Sequence, residues 1–202
     1  MKPLRLLIAA IFLAVPLAVP MASASAQDIW STKASYSADR KIDTQGLPPA
    51  SAKVYVTPEA ERWEMLVEGR KSVMLFRKDR KQVFVLLDDQ RKYIEIPAEQ
   101  SELPGVKPEG DVQLTAAGNE TIEGIPTTKY RMTVQSNTSG RFEGFVWVSA
   151  DNILMKMDGV GGAEGQTAKI AVIMQNVRVS PQDPKLFEIP QGYTKLDPPK
   201  QQ

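Results

Sequence analysis

Between residues 62 and 96 the chain reads RWEMLVEGRKSVMLFRKDRKQVFVLLDDQRKYIEI, and this stretch limits the possible folds more than any other. Short apolar runs alternate with tight charged turns, the pattern of an antiparallel meander. In residues 62–67, Trp63, Met65 and Val67 share one face, with Arg62 and Glu64 on the other. Residues 72–76 and 83–87 are apolar on both faces, Val73 and Leu75 backing onto Met74 and Phe76. An open antiparallel sheet needs apolar side chains on one face only. The second face must be covered, because apolar surface left in water costs about 25 cal/mol per Å². The sequence offers almost no amphipathic helix for that purpose. A long loop, closure into a barrel, a partner chain or a bound apolar ligand are the possible covers.

The segment before the first strand is set apart by its composition. Lys2 and Arg5 precede a 14-residue apolar run over residues 6–19, and Ala24-Ser25-Ala26 follows as an A-x-A site. This reads as a secretory signal peptide, residues 1–26, cut after Ala26, so the mature protein is expected to be exported. Pro16 and Pro20 interrupt a run already short of the roughly 20 apolar residues a spanning helix needs, so an integral membrane protein is not expected. Removing 26 of the 202 residues leaves 176, enough for one β domain over residues 27–196, with a disordered tail at 197–202. Lys2 and Arg5 leave with the signal, taking the formal charge from +1 to −1. Such a balance argues against nucleic acid as a partner.

The sequence contains no Cys and no His. Stability therefore rests on apolar burial and sheet hydrogen bonds rather than disulfides. A Ser-His-Asp triad, a Cys nucleophile and the usual N- or S-ligated metal sites are excluded. Neither a cofactor nor a metal is expected. The carboxylates Glu59, Glu61, Asp88, Asp89, Asp151 and Asp183 sit at turns or strand flanks with no acid–base spacing, and read as solvated turn chemistry.

Outside the meander, strands are expected at 34–42, 52–57, 141–149, 153–157 and 169–179. The cleanest alternation puts Thr128, Tyr130, Met132 and Val134 on one side and Lys129, Arg131, Thr133 and Gln135 on the other. Residues 77–81, RKDRK, read as a solvated turn. Residues 97–118, rich in Pro and Gly, read as a long loop with room only for a short helix at 98–103. Residues 159–165 lack a phosphate-loop ending and read as a flexible connection. Residues 184–193 read as a closing turn.

Trp63, Met65, Phe84, Tyr130, Met132, Trp147, Met155 and Met157 are the candidate lining of an apolar cavity. Met and aromatic side chains adapt to acyl chains and other irregular ligands. The same residues also fill ordinary barrel interiors, and plain core is the commoner role for any one of them.

The hairpins of residues 72–96, the Gly124-Ile125-Pro126-Thr127-Thr128-Lys129-Tyr130 segment, residues 144–151 with Trp147, and the closing PKLFEIPQGY of residues 184–193 together resemble the LolA/LolB-like superfamily of periplasmic proteins. The resemblance covers most of the mature chain. It implies a mainly β fold: an unclosed, curved antiparallel half-barrel with an apolar concave face and a few short helices or loops as a lid. It also implies a non-enzymatic binding protein that holds an apolar or amphiphilic ligand, a lipid or a lipoprotein acyl chain, on that face. The chain departs from the lipoprotein carriers in having few candidate lid helices. The alternative is an interaction or sensor module whose partner is an envelope protein, and a cofactor-free enzyme ranks third.

Overall fold

The computed structural model describes residues 29–67, 69–97, 104–108, 110–136, 140–162 and 166–196. The expected signal peptide, the short helix at 98–103 and the tail fall outside the described residues. Two antiparallel meanders make up the rest. The first comprises β1 (Tyr36–Thr44), β2 (Ala50–Val56), β3 (Ala60–Val67), β4 (Arg70–Arg77), β5 (Gln82–Leu87) and β6 (Lys92–Pro97). The second comprises β7 (Asp111–Ile122), β8 (Ile125–Ser136), β9 (Gly140–Ser149), β10 (Leu154–Gly162) and β11 (Ala168–Val179), and a last strand, β12 (Thr194–Leu196), follows.

All twelve strands form one sheet in the order β12-β6-β5-β4-β3-β2-β1-β11-β10-β9-β8-β7. The meanders join where β1 pairs with β11, from Tyr36 opposite Val179 to Thr44 opposite Ile170. Strands β7 and β12 remain as separate edges, so the sheet curves without closing. The fold is mainly β, with one curved sheet that does not close into a barrel, as the family resemblance implies.

Register assigns the faces. Tyr36, Ala38 and Arg40 stand opposite Val56, Val54 and Ala52, which stand opposite Glu61, Trp63 and Met65. On this face Tyr36, Ala38, Val54, Val56, Met155 and Met174, from four strands, form one buried cluster. Ile122 and Ile125, at the tip of the β7–β8 hairpin, pack against that same cluster from the far end of the sheet. The sheet can bring them together only by curving round this face, which is therefore the concave one.

The convex face of the first meander is covered by the chain's own C-terminal segment. Val73, Leu75, Phe84 and Leu86 form a buried cluster there, with Ile189 and Tyr193 packed on it. A 3-10 turn, Pro184–Phe187, starts this segment, Asp183 capping it by accepting from the Lys185 backbone N–H at 2.9 Å. Arg62 and Arg77, both on the convex face, donate to the backbone carbonyls of Leu186 and Phe187 at 3.2 Å each. Arg77 also holds Glu188 at 2.8 Å. The closing turn thus solves the two-sided strands of the meander, a cover that the pattern of residues 62–96 alone does not suggest. The RKDRK turn is accordingly not all solvated, since Arg77 is buried.

Three further differences have local causes. Residues 111–118 are strand rather than loop, because β7 takes the edge place beside β8, where half its length is polar and needs no apolar signature. Glu123 and Gly124, both at positive φ (49° and 79°), make the two-residue turn of that hairpin. The glycines 159, 161 and 162 belong to β10. Gly144 and Gly159 face each other across β9 and β10, and a Cβ at Gly159 would come 2.6 Å from Phe142 Cζ. The missing side chains make room for the Phe142 ring.

Candidate functional site

The two halves of the concave face differ in what lies over them. In the second meander Met132, Val134, Val146 and Val148 are buried, with Tyr130, Phe142 and Met157 beside them, and Ile29 and Trp30 of the N-terminal segment pack on that surface. That segment is pinned to the β9–β10 turn: the Lys33 backbone N–H donates to the Asp151 carbonyl at 2.9 Å, and Asn152 Nδ2 to that of Ser31 at 3.0 Å. A groove of about 480 Å³ beside it is lined by Ile29, Tyr130 and Val148 together with polar Asn119, Thr121 and Asn152.

The first meander presents Trp63 and Met65 of β3, Met74 of β4, Val85 of β5, and Ile94 and Ile96 of β6 on the concave face. All six are only half-buried. Trp63 and Met65 pack against the central buried cluster, and with Met74, Val85, Ile94 and Ile96 they form an apolar trough.

At the inner end of the trough, charges lie among apolar side chains. Arg40 Nη2 meets Glu61 Oε1 at 2.6 Å, with the two side chains 10% and 3% exposed. Trp63 Nε1 donates to the same carboxylate oxygen at 2.6 Å, and the Arg40 guanidinium stacks on the Trp63 ring, 4.3 Å from its centroid. Phe76 packs against the other side of this group, its ring centroid 4.9 Å from that of Trp63. Burial, assisted by the Glu61 carboxylate, pushes the Tyr36 phenol well above its usual range. Lys78, one turn beyond β4, is pulled below the ordinary lysine range by burial, against the fields of Glu61 and Glu59. Arg40 Nε is buried with no hydrogen-bond partner among the described residues.

Of the eight candidates, Trp63 and Met65 line the trough. Tyr130, Met132 and Met157 share the concave face but lie in the half where Ile29 and Trp30 pack. Met155 is fully buried in the central cluster. Phe84 and Trp147 are on the convex face, which corrects their assignment to a cavity lining. Phe84 belongs to the cluster under the C-terminal segment. Trp147 alternates with Val146 and Val148, so its ring points outward, where Nε1 donates to Glu120 at 2.8 Å and Lys129 and Lys156 lie over the ring. Arg40 and Glu61 are absent from the sequence-derived set. Their parity with Tyr36 and Ala38, and with Trp63 and Met65, is the signal that places them on the apolar face; Glu61 is not a solvated flank residue. Among the described residues no group of carboxylates could hold a metal ion, and no helix is long and apolar enough to cross a membrane.

The model of a domain of unknown function, DUF4412, matches residues 47–158, which run from the turn between β1 and β2 to the middle of β10. The chain belongs to the DUF4412 family. No curated protein matches the sequence. An uncharacterized conserved protein from Thermus thermophilus is similar in structure at 15% identity and a TM-score of 0.54, over 82% of this chain and 91% of that one. MucB is similar at 10% identity and a TM-score of 0.53, over 81% of this chain and 61% of its own. A LolA superfamily protein from Nitrosomonas europaea matches at 11% identity and a TM-score of 0.41, over 77% and 90%. The likeness of this DUF4412 chain to the Thermus protein and to MucB is one of fold.

Proposed function

We propose that the protein is a non-enzymatic periplasmic binding protein that holds an apolar or amphiphilic ligand in the trough of the first meander. One observation carries this reading: Trp63, Met65, Met74, Val85, Ile94 and Ile96 are left half-buried on the concave face, while the convex face of the same strands is sealed by the chain itself. A contiguous apolar surface that is left open marks a place where something binds. Its mixture of Met, Trp and branched side chains suits a flexible acyl chain better than a rigid ring system. The resemblance of the sequence to the LolA/LolB-like superfamily supports the same direction. Gentle purification from the periplasm, native mass spectrometry and lipid extraction test it: a bound lipid-sized mass is expected, as is displacement of the uncharged probe N-phenyl-1-naphthylamine by acyl compounds. A chain that is always empty and ignores the probe would sink the reading.

A second reading, an interaction module with an envelope protein as partner, is favoured by β7. That strand is an unpaired sheet edge of 12 residues, mostly exposed, and able to accept an added strand. MucB has been solved in complex with MucA(peri). A photocrosslinker at Thr115 in intact cells separates the readings: one reproducible protein adduct with no lipid in the purified protein favours this one.

A further inference from the structure

The trough ends at two cationic donors, Arg40 Nε and Lys78 Nζ, that make no hydrogen bond among the described residues. Arg40 is nine-tenths buried and its Nη2 is neutralised by Glu61, yet its Nε is a buried donor with no acceptor among the described residues. An unmade hydrogen bond in such a place costs about 1–3 kcal/mol. Lys78, on the same face two residues beyond Phe76, enters no ion pair among the described residues, and burial disfavours its charge. Gly105 lies beside it: a Cβ there would come 3.3 Å from Lys78 Nζ and 3.1 Å from the Trp30 carbonyl. Glu61 is taken up by Arg40 and Trp63, and the exposed Glu59 reaches Lys78 only through its field, so neither Arg40 Nε nor Lys78 Nζ has an oxygen bonded to it among the described residues. A buried cation without an adjacent anion is stabilised by any anionic oxygen that can reach it.

We propose that the site takes a single-chain amphiphile whose anionic head, a carboxylate or a phosphate, accepts from Arg40 Nε and faces Lys78, with its acyl chain lying along Trp63, Met65 and Met74. This rests on the trough reading and adds the chemistry of the head group. Trp63, which bonds Glu61 and stacks on Arg40, ties the two parts of the site together, since its ring forms the floor of the head-group site and the first wall of the trough.

The test measures displacement of N-phenyl-1-naphthylamine from the full mature chain by dodecanoate, dodecyl phosphate and uncharged 1-monododecanoylglycerol, each below its micellar concentration. At least tenfold tighter binding of one or both anions than of the glyceride is expected, and which anion leads distinguishes a fatty acid from a phospholipid source. Lys78→Gln should bring the anions to within about threefold of the glyceride. The paired change Arg40→Met with Glu61→Leu, which leaves no uncompensated buried charge, should remove the preference in the same way. Equal binding of all three compounds by the unaltered chain, or a preference that survives both variants, overturns the head-group assignment while the trough reading stands. Failure of every compound to displace the probe overturns both.

Discussion

Glu61 carries more of this protein than its neighbours in sequence suggest. Its carboxylate holds the Arg40 guanidinium and the Trp63 indole together inside the concave wall. Replacing it by Gln leaves Arg40 charged and buried, a loss of about 3–5 kcal/mol in urea unfolding. Arg40→Met with Glu61→Leu removes both charges and should lie within about 1 kcal/mol of the starting stability, or above it. Strong non-additivity in that cycle is the signature of the pair; equal and additive losses would refute it. At Gly159 a branched side chain has nowhere to go, because Phe142 and the Glu143 carbonyl already occupy the place of its Cβ. Gly159→Val is expected to cost about 1–3 kcal/mol by overpacking, read as a lowered urea midpoint at constant slope.

At the scale of elements, the C-terminal segment is the part whose loss would change the rest. Phe187 is 6% exposed and seated by Arg62 and Arg77, so Phe187→Ala should destabilise the fold by about 3–5 kcal/mol. The same segment is tied down by groups that titrate at both ends of the pH scale. The Arg77 guanidinium holds the Asp79 carboxyl below its usual range, and the Lys195 ammonium, which ties β12 to β6, does the same for Glu95. A depressed carboxyl stabilises the fold above its unfolded value, about pH 4, and its contribution is lost as the pH falls through the folded value. Burial and the Asp88 hydrogen bond, 2.8 Å long, raise the Tyr193 phenol. Its contribution is complete below about pH 10 and lost as the pH rises through the folded value. Amide exchange of residues 184–196 should therefore quicken below pH 4 and above pH 10 before that of β1 and β11. Tyr193→Phe should remove the part of the alkaline change that comes from this phenol; an identical alkaline profile in that variant would count against it.

At the scale of the molecule, the sheet is a wall used differently on its two sides and in its two halves. The second meander carries Ile29 and Trp30 on its concave face, while the first has its convex face covered by the C-terminal segment and keeps Met74, Val85, Ile94 and Ile96 half-buried on its concave face. That asymmetry is the reason binding is proposed for the first half. Trp63→Ala should therefore weaken an acyl ligand at least tenfold, whereas Trp147→Phe, on the convex face, should leave affinity within about twofold. Equal effects of the two in the displacement assay would remove the trough as the site. Both variants need checking for a single cooperative thermal transition.

What the residues determined unaided was the kind of structure: twofold alternation, charged turns and the absence of Cys and His lead to an antiparallel sheet held by apolar burial. The strands of the first meander fall within about two residues of their expected ends, because pattern and turn chemistry are local there. Alternation also carries the faces of Trp63, Met65, Tyr130 and Met132. It was silent on the fate of each face, because burial there is decided by segments far away in the chain. Residues 184–193 reach back over about a hundred positions to cover Leu75 and Phe84, and Ile29 arrives from the other end to cover Met132. The pairing of Arg40 with Glu61, 21 residues apart, follows from the β1–β2–β3 register and not from local sequence. Only the tertiary structure could show which apolar face the chain itself covers and, among the described residues, which apolar side chains stay half-buried.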